Sequence, residues 1–374
     1  MCESDPGALA EEARQAAQQH LRERAEAALE YARQKGLYDV VDGPRLLEQV
    51  ADFLAFYCAW APMGQGQDYA QARAGADAAL AARKGLRDFT QPPWARGLPK
   101  SSLDGGRETI IRPEATDEKL LRLGIRRAEQ LDGVSFVKRV LDMGEARFPS
   151  VVRIAADPFW RSLSEEQRDR VCQILSGSDD PELFQTLKGA AEELYGDFPW
   201  DVDAGAWSKP SPIQQELLKA TSNRTPGTYY AVLAADGDGI GRYLQQLGDE
   251  ESHRDFSRRL ARFAGAAADA VRECRGALVY AGGDDVLALL PLSGALGCAD
   301  RLRKEFAASV ADGRPRPPTL SVGVAIVHIH ENLRSALEYA RAAEHAAKRG
   351  GRNALALARH TRGAGPDVPV IVHS

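Results

Sequence analysis

Residues 280–290 read YAGGDDVLALL, and two adjacent carboxylates stand inside a run that is otherwise apolar. An unbroken buried strand would have to bury that charge, which is costly without partners. Gly282 and Gly283 supply another reading: two short strands, GALVYA and DVLALLPL, joined by a tight acidic turn. The turn itself has two explanations, an acidic hairpin of no chemical consequence or carboxylates displayed to hold metal.

The flanking pattern gives the hairpin its place. YYAVLAA (229–235) reads as a buried strand, and 254–273 puts Phe256, Leu260, Phe263, Ala267 and Val271 at helical spacing. After the hairpin, 294–309 reads as a helix and PTLSVGVAIVHI as a strand. Residues 332–349 read as a helix with Leu333, Leu337, Ala340 and Ala347 on one face, and NALALA as a last short strand. The first six elements spell βαββαβ. The fold class expected is therefore α+β, a ferredoxin-like palm with helices over one face of an antiparallel sheet, preceded by a mostly helical N-terminal region.

In that order of elements, the end of the first strand and the hairpin turn fall at the same sheet edge. The first strand ends in AADGDGIGRYL, so Asp236, Asp238, Asp284 and Asp285 are expected to converge. Clustered carboxylates repel unless cations neutralise them, and Mg²⁺ favours carboxylates, water and substrate phosphate. Two such ions can activate an attacking hydroxyl and steady a leaving phosphate. Gly237, Gly239 and Gly241 leave backbone bare for phosphate approach at a helix start, and Gly282 and Gly283 make the turn. DGDG alone is an ordinary cap, and GGDD alone an ordinary turn; it is their matching positions in one βαββαβ unit that point to chemistry. Lys348 and Arg352, in AAEHAAKRGGRN, read either as charge complementing a helix C-terminus or as cations for a triphosphate tail.

These motifs, DGDGIG, YAGGDDVLALLPL and LSVGVAIVHIHENLRSALEYARAAEHAAKRGGRNALAL, together resemble the catalytic palm of the large subunit of type III CRISPR effector complexes, nearest to the Cmr type. ARKGLRDF and LPKSSLDGGRETII upstream also look like that subunit. The family's palm is similar to nucleotide cyclases and GGDEF diguanylate cyclases. What the resemblance implies is synthesis of cyclic oligoadenylates from ATP with release of pyrophosphate, when a complex of partner subunits and guide RNA binds target RNA. It implies Asp236 and Asp284 as main metal ligands for Mg²⁺ or Mn²⁺ in a two-metal site, Asp238 and Asp285 in support, and a carbonyl from Gly237. Lys348 and Arg352 take the positions that contact the triphosphate. Two alternatives remain beside it: a GGDEF-like cyclase making a cyclic dinucleotide, and a non-catalytic scaffold subunit of such a complex.

The sequence also departs from the family. It contains no His-Asp dipeptide, so no HD-type nuclease activity is expected of it. The family's C-terminal helical domain is expected to be missing, as in a trimmed or naturally short form. Five scattered cysteines with no CxxC pair exclude the family's cysteine zinc motif and fit a reducing compartment. No run approaches a membrane span, and the N-terminus has no basic region followed by an apolar stretch, so a cytoplasmic protein is expected. A net charge of −5 excludes a globally basic nucleic-acid face.

Three divisions are expected: 1–112, helix-rich with a remnant of a first, non-catalytic palm; 113–220, mostly helical; and 221–374, the palm. Within the first, 44–62 reads as an apolar core helix, and PKSSLDGG (99–106) either touches RNA or nucleotide through Lys100, Ser101 and Ser102 or forms a structural turn. Residues 208–228, with their breakers and polar residues, read as a linker or lead-in to the palm. His328 and His330 alternate on a strand and share a side, as a strand-end pair or as metal ligands.

Overall fold

The computed structural model describes residues 5–63, 68–86, 97–125, 128–141, 148–176, 212–361 and 369–373. The chain divides into two compact units, Met1–Arg147 and Phe148–Ser374. This boundary lies at neither of the positions expected from sequence, 112/113 and 220/221. The cause is visible in the cores. Leu120, Leu123, Leu131, Phe136 and Val140 pack with Ala28, Leu29 and Leu46, which ties 113–141 to the first unit. Ile154 and Ala155 pack with strand residues Tyr230 and Val232, which ties 151–162 to the second.

In the first unit, helix α1 (Pro6–Gln34) starts at Asp5, whose carboxylate accepts the Gly7 N–H, with Pro6 where its missing donor costs nothing. Helix α2 (Gly43–Ala51) buries Leu46, Gln49 and Val50. It is shorter than the 44–62 helix expected. Asp52 caps it, and the apolar residues beyond do not extend the buried stripe: Phe53 and Trp60 are exposed. Helices α3 (Tyr69–Gly85), α4 (Asp117–Arg122) and α5 (Gly133–Leu141) follow. Among the described residues this unit has isolated bridges, Val41 with Ile111 and Lys100 with Glu108, and no strand ladder. The PKSSLDGG turn is held from inside. Ser101 is buried and donates to Asp132 Oδ2 at 2.8 Å, and Ser102 Oγ accepts the Gln130 N–H at 3.0 Å.

The second unit begins with helices α6 (Val151–Ser162), α7 (Glu165–Ser176) and α8 (Pro212–Ala220). The last replaces much of the linker expected at 208–228. Pro212 stands at a helix start, where proline fits, and Leu217 is buried with Val171. The sheet follows: β1 (Tyr229–Asp238), α9 (Ile240–Gln246), α10 (Glu250–Glu273), β2 (Ala277–Gly282), β3 (Asp285–Pro291), α11 (Leu292–Val310), β4 (Thr319–His328), α12 (Leu333–Arg349), β5 (Ala354–Arg359) and β6 (Val370–His373). The sheet order is β2-β3-β1-β4-β5-β6. The first four strands are antiparallel neighbours, the ferredoxin-like arrangement; β5 runs parallel to β4, and β6 antiparallel to β5.

Alternation along β1 separates two faces. Ala231, Leu233 and Ala235 pack under α10 and α11, with Phe263 and Phe306 meeting edge to face at 4.9 Å. Tyr230, Val232 and Ala234 pack on the other face with Ala336 and Ala340 of α12 and with α6. Helices therefore cover both faces, where the βαββαβ pattern alone predicted one. The second layer comes from α12, the crossover that the added parallel strand β5 requires. Gly323 of β4 admits that helix: a Cβ there would overlap the backbone nitrogen of Glu344 and the carbonyl oxygen of Ala340. His328 is buried against Tyr229, and its Nδ1 accepts the His330 N–H at 3.1 Å, so the pair closes the strand end. No helix among the described residues is long and apolar enough to cross a membrane.

Candidate active site

The register places the acidic residues. Ala235 of β1 faces Val286 of β3, so Asp236 and Asp285 stand one step further along, opposite each other on the α12 side. On its other flank Asp236 pairs with Ser321 of β4. A cavity of about 460 Å³ opens here, lined by Asp236, Tyr280, Asp285, Arg341, Glu344 and Lys348. Lys348, in the last turn of α12, reaches Asp236 in an ion pair, and its Nζ lies 3.0 Å from Glu344 Oε1. Burial, with Arg352 close by, lowers the Lys348 pKa.

The other two aspartates do different work. Asp238 is buried, and its carboxylate is fully engaged. It accepts from Thr319 Oγ1 at 2.8 Å, from Ser321 Oγ at 2.9 Å and from the Asn353 N–H at 3.0 Å. It thus clasps β1 to β4 and to the turn at Gly350–Asn353, where Gly351, Arg352 and Asn353 all have positive φ. Arg352 is exposed on that turn. Asp284 sits in the hairpin and packs over Gly237: a Cβ on Gly237 would lie 2.6 Å from Asp284 Oδ2. Burial raises the Asp284 pKa, with the charge of Asp285 adding to it, while amide donors from its own backbone and Gly237 oppose the rise. Asp285 lines the cavity, whereas Asp284 packs against Gly237, whose Cβ direction lies on the other face of β1 from Asp236.

The glycines divide similarly. Gly239 (φ +76°) and Gly283 (φ +65°) adopt the left-handed conformation that glycine favours. Gly282 has no positive φ, but a Cβ there would run into the Tyr280 hydroxyl. Gly241 faces open space, so nothing steric requires it.

Glu344 went unnoticed in the sequence. It is only 6% exposed, and its Oε1 has no hydrogen-bond donor beyond its ion pair with the Lys348 ammonium. Burial raises its pKa; His345 opposes the rise, while the charges of Asp238 and Asp285 add to it. The signal was a lone acid among the buried alanines of α12, four residues before Lys348. Among the described residues, no group of three His, Cys, Asp or Glu side chains is positioned to hold a metal ion as the side chains stand. The Lys348 ammonium is already paired with Asp236 there.

Comparison with known proteins supports the same segment. Residues 229–356 match the family model for Cas10/Cmr2, second palm domain. The "CRISPR system Cmr subunit Cmr2" of Pyrococcus furiosus is 31% identical over 234 residues, 52% of this chain and 27% of that protein. The chain thus spans about a quarter of the length of this relative. Similar solved structures include a Csm1-Csm4 cassette in complex with pppApA, at 21% identity and TM-score 0.31, covering 34% of this chain and 20% of that one. The GGDEF domain of DgcB from Caulobacter crescentus in complex with c-di-GMP is 23% identical at TM-score 0.29, covering 35% of this chain and 78% of that one.

Proposed function

We propose, from the premise that residues 229–356 form a second palm domain of the Cas10/Cmr2 type, that this chain is a nucleotidyltransferase making cyclic oligoadenylates from ATP. The observation that carries the reading is the pair Asp236 and Asp285, facing each other across one cavity with Lys348 beside them. Oxygen donors of this kind suit Mg²⁺ or Mn²⁺, and the chemistry of Asp236 and Asp285 fits such an ion once Lys348 has moved off Asp236. When bound, a divalent cation supplies charge neutralisation and lowers the pKa of an attacking hydroxyl.

The chain's own residues then divide the work. Asp236 and Asp285 would hold the cation. Asp284, over Gly237, shapes the turn and supports that pair. Lys348 and Arg352 bind the triphosphate, Lys348 leaving Asp236 to do so. Gly237, Gly239, Gly282 and Gly283 keep side chains out of the substrate's path. The 3′-oxygen of one nucleotide forms a bond to the α-phosphorus of the next ATP. The bond from that phosphorus to the bridging oxygen breaks, pyrophosphate departs, and the hydroxyl proton passes to water. Asp238 acts as a positioning residue, because its lone pairs are committed to Thr319, Ser321 and Asn353.

The relatedness to Cmr2 supports placing this activity in a type III CRISPR complex, with other protein subunits, guide RNA and target RNA as partners. The test is incubation with labelled ATP or GTP and Mg²⁺ or Mn²⁺, for the chain alone and for the chain assembled with its partners. Adenylate rings are expected, with Asp236→Asn reducing their formation by at least about a hundredfold. No adenylate product under either condition overturns the reading in favour of a scaffold subunit. A cyclic guanine dinucleotide would assign the palm to the other cyclase class.

A further inference from the structure

The acid cluster beside Asp236 contains one member that neither β1 nor the hairpin supplies. Glu344 comes from α12 and is carried in because Gly323 lets that helix touch the sheet. Its side chain is nearly fully buried, yet Oε1 accepts no hydrogen bond. A buried carboxylate oxygen whose one polar partner is an ammonium shared with another acid is costly, and native structures seldom keep one without a use. Asp238, at similar depth and with its charge felt at Glu344, shows what a structural carboxylate looks like here: hydroxyls and an amide take up both of its oxygens.

The compensation for Glu344 is electrostatic, and it is borrowed. Lys348 lies one helical turn away, 3.0 Å from Oε1, and makes its ion pair with Asp236 at the same time. One ammonium thus stands between two carboxylates, with Asp285 lining the same cavity. If Lys348 is drawn to a phosphate, Asp236, Asp285 and Glu344 face that cavity with Arg341 on its wall as the remaining cation, three acids to one guanidinium. Such an arrangement is strongly unfavourable until a proton or a cation enters.

We propose that Glu344 is a third metal-holding carboxylate of this site, and that Lys348 occupies the cation's place until it is drawn away. The inference rests on the reading of Asp236 and Asp285 as metal ligands. Lys348 then has two positions with distinct partners: the acids when the site is empty of nucleotide, the phosphates when nucleotide is bound. Loading of metal and of nucleotide become coupled, because each removes the obstacle to the other. The geometry also accounts for the lack of a ready-made metal cage among the described residues: the ammonium holds the acids in its own arrangement.

The experiment is a titration of the full-length chain with Mn²⁺, without nucleotide, reading free Mn²⁺ by electron paramagnetic resonance. Lys348→Met is expected to bind Mn²⁺ more tightly than the parent, on the order of tenfold. Adding Glu344→Gln to Lys348→Met is expected to reverse that gain by a similar factor, and Asp236→Asn to remove binding from every background. Circular dichroism on each variant establishes that it is folded. If the double variant binds Mn²⁺ as well as Lys348→Met alone, Glu344 takes a proton instead of a cation and the inference falls, while the Asp236–Asp285 reading stands. If Lys348→Met binds no more tightly than the parent, the lysine does not hold the cation's place and the inference falls likewise. If no variant binds Mn²⁺, the reading of the whole site falls with it.

Discussion

Both units bury carboxylates, and Asp132 in the first and Glu344 in the second are held in opposite ways. In Met1–Arg147, Asp132 is almost fully buried and fully satisfied: Ser101 Oγ at 2.8 Å, Ser135 Oγ at 2.5 Å, and the Val134 and Ser135 amides at 3.0 Å all donate to it. Burial works against its ionised form, but these donors outweigh that and hold its pKa below the usual range. In Phe148–Ser374, Glu344 is nearly as deep, accepts no hydrogen bond at Oε1, and has its pKa raised by burial and by the charges of Asp238 and Asp285. Burial alone therefore does not mark a functional acid. What separates the two is whether the fold supplies donors or leaves the charge facing a cavity. Asp132 stabilises a turn, whereas Glu344 is tolerated at a cost, as groups poised for a ligand are.

The largest effect expected is on the satisfied acid. Asp132→Ala strands two hydroxyls and two amides and should destabilise the first unit by about 3 kcal/mol. Hydrogen-exchange mass spectrometry, which resolves the units, checks it; an unchanged 97–141 segment would break the comparison. Gly323→Ala comes next. The added methyl meets the backbone of α12 rather than a yielding side chain, so a cost of about 2 kcal/mol is expected, with protection lost in α12 and β4. A milder cost would mean α12 slides easily, and the placement of Glu344 would then owe little to this glycine. Smaller still is Glu344→Gln in the absence of ligand. It removes a charge from an acid cluster but also one of two partners of Lys348, so stability should stay within about 1 kcal/mol of the parent in thermal unfolding. A loss comparable to that of Asp132→Ala would make Glu344 a structural residue.

The sheet was legible because its signals are local. Apolar runs of strand length, the glycine-bearing turn and the helical spacing around Phe256 and Phe263 each survive without tertiary information. The proximity of the DGDG and GGDD motifs followed from topology. The division of labour within them did not. Asp236 and Asp238 lie on the same face of β1 by the period of two, and only the hydroxyls of Thr319 and Ser321 and the turn at Asn353 turn one of them into a clasp. Asp284 and Asp285 look equivalent in sequence, but the hairpin sends them to opposite sides. Glu344 was hidden by its setting in an alanine-rich helix, where its meaning depends on Gly323 in another element. The helix expected over 44–62 stops at Ala51 because the apolar residues beyond Asp52 do not form a buried stripe, and α8 hides in a proline-bearing polar stretch because Pro212 occupies a helix start, where proline fits.

The smallest effect expected is also the one that separates the two acids most directly, since it needs no substitution. Asp132 has a folded pKa below its unfolded value of about 3.8, so its contribution is present above that value and is lost as pH falls through the folded pKa. Glu344 has a folded pKa above its unfolded value of about 4.5. Its contribution runs the other way: it favours the folded state below the unfolded pKa and fades as pH rises through the folded one. Asp284, also raised by burial, acts in the same sense as Glu344. Lowering the pH from 6 to 4 should therefore spare or strengthen the edge of the palm around α12 and the hairpin, relative to the Asp132 turn. Further acidification should then open the first unit around 97–141. Hydrogen exchange at matched intrinsic rates across this range gives the comparison within one molecule. If the Asp132 turn gains protection on acidification while the palm edge loses it, the two carboxylates have been assigned the wrong way round. If both respond alike, the donors around Asp132 do not set it apart from Glu344.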